Sequence, residues 1–240
     1  LTFAEYENGR RAIHGPEVQI TTAGYADWIA GAAGHGLTPD CQPEVIDGRL
    51  YYATSGSRAP SRIHWIHTDG STDAQGVAGR ELGWPPHLFP RLAATPDGKS
   101  LLLAGFGGDR GRDSIGHFVA RVALAGEGKP EVFLGDGKPG SADGKFNGAN
   151  GLDCDAQGHI YVTDYYNSRL QVFAADGKFL RSLSVDRPYL VRVHRKSGAV
   201  YVFHHRREQG QTLACMSKYA SWEQTSPEFR VNDLQATAAA

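Results

Sequence analysis

Gly151-Leu152-Asp153-Cys154-Asp155-Ala156-Gln157-Gly158-His159-Ile160-Tyr161-Val162-Thr163-Asp164 continues as Tyr165-Tyr166-Asn167-Ser168-Arg169-Leu170-Gln171-Val172-Phe173-Ala174-Ala175-Asp176-Gly177-Lys178-Phe179-Leu180. This stretch decides the fold. Leu152 and Cys154 alternate with acids, which is the period-two pattern of a half-buried strand. A Gln-Gly turn then reverses the chain into residues 160–163, and a polar Tyr-Tyr-Asn-Ser loop carries it to residues 170–173. An Asp-Gly turn leads on to residues 179–183. Gly-containing pairs of this kind supply the positive φ that tight hairpin turns need. The reading is three or four short antiparallel strands.

The same grammar recurs three times. Residues 92–99 lead into 101–104, and residues 43–49 lead into 50–53, with 65–70 as an outer turn. Residues 191–193 pass through Lys196-Ser197-Gly198 into 200–203. The anchor glycines Gly48, Gly98, Gly158 and Gly198 are spaced by 50, 60 and 40 residues, close to the roughly 40–50 residues of a four-stranded propeller blade. The surplus falls in the glycine-rich residues 105–116. The expected fold is therefore all-β, a β-propeller of four-stranded antiparallel blades. The blades lie near 43–90, 92–135, 151–186 and 187–223, in a single or partial propeller domain.

Composition agrees and narrows the partners. Of 240 residues, 40% are hydrophobic and 21% charged, which excludes disorder driven by low hydrophobicity. Lys+Arg 25 against Asp+Glu 26 gives a net charge of −1 and no basic footprint for nucleic acid. No window approaches the ~18 apolar residues of a spanning helix, so no membrane insertion is expected. Cys41, Cys154 and Cys215 form no Cys-x-x-Cys pair, which argues against thiol redox chemistry, a zinc ribbon and attached haem. Cys154 sits in an apolar run and reads as a buried, inert thiol.

Residues 135–183 resemble an NHL repeat, a blade type of six-bladed propellers. The resemblance is carried by Leu134-Gly135-Asp136-Gly137-Lys138-Pro139-Gly140-Ser141-Ala142-Asp143-Gly144 with Phe146-Asn147-Gly148, then Tyr161-Val162-Thr163-Asp164, Asn167-Ser168-Arg169 and Val172-Phe173-Ala174-Ala175-Asp176-Gly177. Ala149 stands where the family usually has proline. The resemblance implies a six-bladed ring, of which four to five and a half blades are visible. Residues 20–31 read as the outer half of an earlier blade, and 229–231 with 234–237 as the opening of a later one. The chain, starting at Leu1 and ending at Ala240, reads as most of a ring with processed ends.

In a propeller the strand 2–3 loops and the strand 4–1 crossings open on one face around the central channel, where rigid blades position variable loops. In register, strand 2 ends at Thr54, Gly105, Asp164 and His204. The expected ligand-binding residues on this face are His87, Arg91, Asn150, Tyr165, Tyr166, Tyr189, His204, His205 and Arg206. Adjacent histidines on a strand point to opposite sides, so His204 and His205 do not readily ligate one metal. Asp164 reads as a brace for the turn, bonded to loop amides and Arg169.

Metal and nucleophile motifs are incomplete in this sequence. Asn150-Gly151 resembles the metal-binding Asn-Gly segment of the gluconolactonase/SMP-30 propellers. The glutamate that family places at residues 40–43 is absent, however, and Tyr189 stands for the acid expected after Pro188. The amidating lyases need zinc-binding histidines, and His87, His194, His204 and His205 supply the type without the motif. Residues 136–143 fail the EF-hand pattern and read as an inter-blade turn. No Gly-x-Ser-x-Gly or His-Glu-x-x-His occurs. The expectation is a binding or scaffolding propeller, part of a larger protein or complex, whose partner is a protein or a glycan. No cofactor is assigned. The alternative is a metal-dependent lyase or hydrolase with a divalent metal in the central channel.

Overall fold

The computed structural model describes residues 6–7, 10–11, 43–54, 62–69, 80–81, 87–107, 116–126, 130–232 and 234. Among them all regular structure is β-strand. A short pair, β1 (Tyr6–Glu7) and β2 (Arg10–Arg11), precedes four larger sheets. The first sheet holds β3 (Glu44–Ile46), β4 (Arg49–Thr54), β5 (Arg62–His67) and β6 (Arg80–Glu81). The second holds β7 (His87–Ala94), β8 (Ser100–Gly107), β9 (Phe118–Ala123) and β10 (Glu131–Gly135). β11 (Ala149–Cys154), β12 (Ile160–Asp164), β13 (Arg169–Phe173) and β14 (Phe179–Ser184) form the third. β15 (Pro188–Val193), β16 (Val200–Glu208), β17 (Gln211–Tyr219) and β18 (Phe229–Val231) form the fourth. Within each sheet the strands pair antiparallel in sequence order, as an up-and-down blade requires.

The blades are held face to face by three apolar cores. Ile46, Tyr51 and Ala53 pack with Leu92, Leu101 and Leu103 between the first and second sheets. Ala93, Leu102 and Ala104 meet Leu152, Ile160 and Val162 between the second and third. Tyr161, Leu170 and Val172 meet Val191, Val200 and Val202 between the third and fourth. Side chains of β12 alternate between two neighbours, so Ile160 and Val162 face one blade and Tyr161 the other. That is why the strand is buried along its whole length, and why its sequence is a continuous apolar run without the alternation of a one-sided sheet.

The first strands of successive sheets pack on one another, β3 on β7, β7 on β11 and β11 on β15, and so line the axis. The approach of β11 to β15 is close enough to require glycine. A Cβ on Gly151 would come within 2.8 Å of both the Leu190 Cα and the Tyr189 carbonyl oxygen. At the far end of the same strands, Arg192 Nη1 lies 3.5 Å from Glu44 Oε1 and 3.8 Å from Asp153 Oδ2. Arg195 Nη2 is 3.6 Å from Glu44 Oε2. Glu44 and Asp153 are both buried. Burial pushes the Asp153 carboxyl above its ordinary range, opposed by the Val193 N–H and the Arg192 charge. This charge bridge joins the axial strands of the first, third and fourth sheets.

Two expectations need adjustment. Phe229–Val231 does not open a later blade: it pairs with Met216, Ser217 and Lys218 as the outermost strand of the fourth sheet. The chain turns back through residues 220–226, and Glu228 N donates to the Lys218 carbonyl at 2.8 Å, which starts the pairing. Residues 205–207 are not a loop, because β16 continues through them to Glu208. Residues 20–31 and 235–237 lie outside the described residues, as does Cys41. Residues 136–143 form the inter-blade turn: Asp136 accepts from the Lys138 N–H at 3.2 Å and from Lys145 Nζ. Cys154 and Cys215 are free and buried, and burial pushes the Cys154 thiol well above its ordinary value.

Candidate channel-mouth site

In the second and third blades strand 1 starts where strand 2 ends, and in the fourth strand 2 runs on beyond the start of strand 1. Ala149 pairs with Asp164, Pro188 with His204, and His87 with Gly107. These positions share one end of the axial strands, opposite the Glu44–Arg192 bridge.

Asp164 organises this end in the third blade. Its fully buried carboxylate accepts from the Asn147 N–H at 2.7 Å, Asn167 Nδ2 at 2.8 Å, Arg169 Nε at 2.7 Å and Gln171 Nε2 at 3.3 Å. Both oxygens are spent on these partners, so the group braces the loop and offers nothing to a ligand. The braced loop is tied down further by Tyr165 N to the Gly148 carbonyl and Tyr166 N to the Asn147 carbonyl, each at 3.0 Å. It therefore delivers Tyr165 and Tyr166 to the mouth in fixed positions.

The fourth blade meets them with a longer hairpin. β16 and β17 have nine residues each, against five in β12 and β13. The extra pairs run from His205↔Ala214 to Glu208↔Gln211. Gln209 (φ 48°) and Gly210 (φ 82°) close the hairpin with two left-handed residues, as a type I′ turn demands. This overhang carries His205 and Arg206 past the end of the blade.

Four rings meet there in a chain. Tyr166 contacts Tyr165 edge-on at 5.0 Å between centroids, and Tyr165 contacts His205 edge-on at 6.2 Å. His205 stacks on Tyr189 at 4.6 Å with 24° between planes. Tyr165 Oη lies 3.5 Å from His205 Nδ1, the long limit of a hydrogen bond. Edge-to-face and offset-stacked geometries are those favoured by aromatic quadrupoles. Tyr166, at the outer end, is 53% exposed. Burial first, and then the Arg187 charge, holds the His205 imidazole below its ordinary pKa.

Of the nine residues expected at this face, Tyr165, Tyr166, Tyr189 and His205 are thus in direct contact. His204 points the other way: it is buried, with Nε2 3.0 Å from Ser217 Oγ, and burial followed by the Arg230 charge pushes its pKa down. Arg206 is half-buried, 3.7 Å from Glu208. Arg91 is buried within β7 opposite Ala104. His87 begins β7, and its side chain lies outside the described residues. Asn150, beside the β11–β15 approach, is 5% exposed, and its Oδ1 has no hydrogen-bond partner among the described residues. His194 sits in the opposite-end turn, with Nδ1 2.8 Å from Ser197 Oγ.

Sequence reasoning missed Arg187. It has φ +40°, its N–H donates to Ser168 Oγ at 3.3 Å, and its carbonyl accepts from the His205 N–H at 3.2 Å. It therefore couples the third-blade loop to the overhang. The sequence offers no signal for this, because a residue before proline is ordinarily extended.

The family match fits this geometry. Residues 146–173, the core of the third blade with its crossing loop, match the NHL repeat. This stretch is one NHL repeat. No curated protein matches the sequence. Among solved structures, the chain is similar to a functionally unknown protein from Desulfotomaculum acetoxidans, with 11% identity, a TM-score of 0.51 and 79% of this chain and 55% of that one covered. It is also similar to regucalcin from Agrobacterium tumefaciens, with 19% identity, TM-score 0.48 and 71% and 54% coverage. For a luciferin-regenerating enzyme the values are 12% identity, TM-score 0.48 and 68% and 52% coverage. The chain spans about half the length of these structures. The likeness to the Desulfotomaculum acetoxidans protein is one of fold.

Proposed function

We propose that this NHL-repeat chain is a propeller binding module that takes its ligand, a glycan or a segment of a protein, at the channel mouth. The supporting observation is the continuous chain of rings Tyr166–Tyr165–His205–Tyr189, built from two blades and ending in an exposed tyrosine. Aromatic rings of this kind offer large contact area at small entropic cost, and arginines at the rim add directional donors. Binding of oligosaccharide and peptide libraries to the intact chain tests the reading. Tyr166→Ala and Tyr189→Ala are expected to weaken the bound ligand about tenfold or more, since ring anchors carry most of such interfaces. Ligand binding unchanged in both variants would overturn it.

Asn150 favours a second reading, a channel enzyme of the metal-dependent hydrolase or lyase kind. Its buried, unpartnered Oδ1 is the sort of oxygen a divalent cation takes. The rest of the donor set does not fit. Asp153 is committed to the Val193 and Cys154 N–H groups, and Asp164 to Arg169. Among the described residues no three His, Cys, Asp or Glu side chains converge. No catalytic step through a metal is therefore derived. Metal analysis of the purified chain separates the readings: a stoichiometric divalent ion lost in Asn150→Ala would establish the second.

A further inference from the structure

Arg187 is held in a way that its structural role alone does not require. A left-handed backbone at an arginine costs roughly 1–2 kcal/mol relative to glycine, yet its φ is +40°. Both its backbone groups are spent, one on the third-blade loop and one on the β16 overhang. Its guanidinium, by contrast, makes one long contact, from Nε to the Oδ1 of the exposed Asp186 at 3.4 Å. The two terminal amino groups have no partner among the described residues. Arg206, on the overhang, is no better engaged, at 3.7 Å from Glu208. The carboxylate beside the ring chain is Asp186, which meets Arg187 only through that long contact, and the buried Asp164 is saturated by its own partners. Beside Arg187, His205 has its Nδ1 turned to Tyr165, which leaves Nε2 directed elsewhere. The mouth thus combines a flat exposed ring, a planar cation with two idle donors and an imidazole nitrogen.

We propose that the channel mouth is selective for a carboxylate-bearing ligand, whose carboxylate is gripped by Arg187 beside His205 while its flat face lies on Tyr166. The inference deepens the binding reading and rests on it. A guanidinium fork matches a carboxylate with two parallel N–H···O bonds, which lysine cannot reproduce. The exposed Tyr166 ring supplies the apolar platform.

Benzoate and its uncharged isostere benzamide are the probes, titrated into the intact chain with the tyrosine and histidine ring resonances followed by NMR. Benzoate is expected to bind about tenfold tighter than benzamide, in line with a charge-assisted pair, with the Tyr166 and His205 signals shifting. In Arg187→Gln the two probes should bind alike, in Arg187→Lys the preference should fall, and Tyr166→Ala should weaken both. Equal binding of the probes to the wild type, or a preference that survives Arg187→Gln, overturns the carboxylate selectivity and leaves the binding reading standing. If Arg187→Gln does not fold, added salt on the wild type decides: a benzoate preference insensitive to salt overturns the proposal. Absence of any shift at Tyr166 and His205 overturns both the selectivity and the placement of the site.

Discussion

At the residue scale, the two adjacent histidines have opposite environments and a shared consequence. His204 is buried against Ser217, and His205 is stacked on Tyr189. Both have pKa values held below the ordinary 6.5, by burial and by neighbouring arginines. A histidine whose folded pKa is depressed takes up its proton more readily in the unfolded chain. Its contribution to stability is therefore complete above the unfolded value and declines as pH falls below it. Thermal unfolding should show stability falling as pH drops below about 6.5, and His204→Gln should flatten that slope. Asp164 makes a different prediction. Removing its carboxylate leaves Arg169 Nε and the Asn147 N–H without their acceptor, so Asp164→Ala should cost about 3–5 kcal/mol in urea unfolding. A loss below about 1 kcal/mol would show that the brace matters little.

At the scale of elements, the axial strands and the overhanging hairpin set where the rings sit. Gly151→Ala would force a methyl against the Leu190 Cα and the Tyr189 carbonyl, both 2.8 Å from the Cβ position. Two strands must part, at a cost of about 1–3 kcal/mol for overpacking, and Tyr189 should move off His205. Binding at the mouth should then fall more than stability alone explains. A glycine in this strand was visible in the sequence, but its reason was not, since the clash comes from another blade. The hairpin turns were legible for a local reason: Gly158, Gly177 and Gly198 all adopt the positive φ that their turns need. The overhang was not, because the sequence 204–208 carries no turn signal of its own. The decisive turn, Gln209-Gly210, lies several residues further on and is formed only because β16 and β17 stay paired that far. The ring chain was half legible. Register put Tyr165, Tyr166, Tyr189 and His205 at one end, but their contacts depend on Arg187, whose backbone conformation no residue type announces.

At the scale of the whole molecule, the blades are joined by apolar cores between neighbours and by one polar link across the axis. Glu44 belongs to the first sheet and Arg192 to the fourth, so their pairing ties together sheets that share no core. Arg192 is 39% exposed at its side chain, which moderates the strength of the link. A double-mutant cycle with Glu44→Gln and Arg192→Gln should give a coupling of about 0.5–3 kcal/mol, shrinking as salt is raised. Additive effects would mean that the two sheets are not linked through this pair.

Two blades bring Tyr165, Tyr166, Tyr189 and His205 together in one chain of rings. The most direct test is an NMR titration of the histidine ring protons in the wild type and in Tyr189→Ala. The His205 signals are expected to be displaced by the Tyr189 ring current and to titrate below the ordinary histidine value, and Tyr189→Ala to remove the displacement. A His205 imidazole that titrates as a free one, with signals indifferent to Tyr189→Ala, would contradict it.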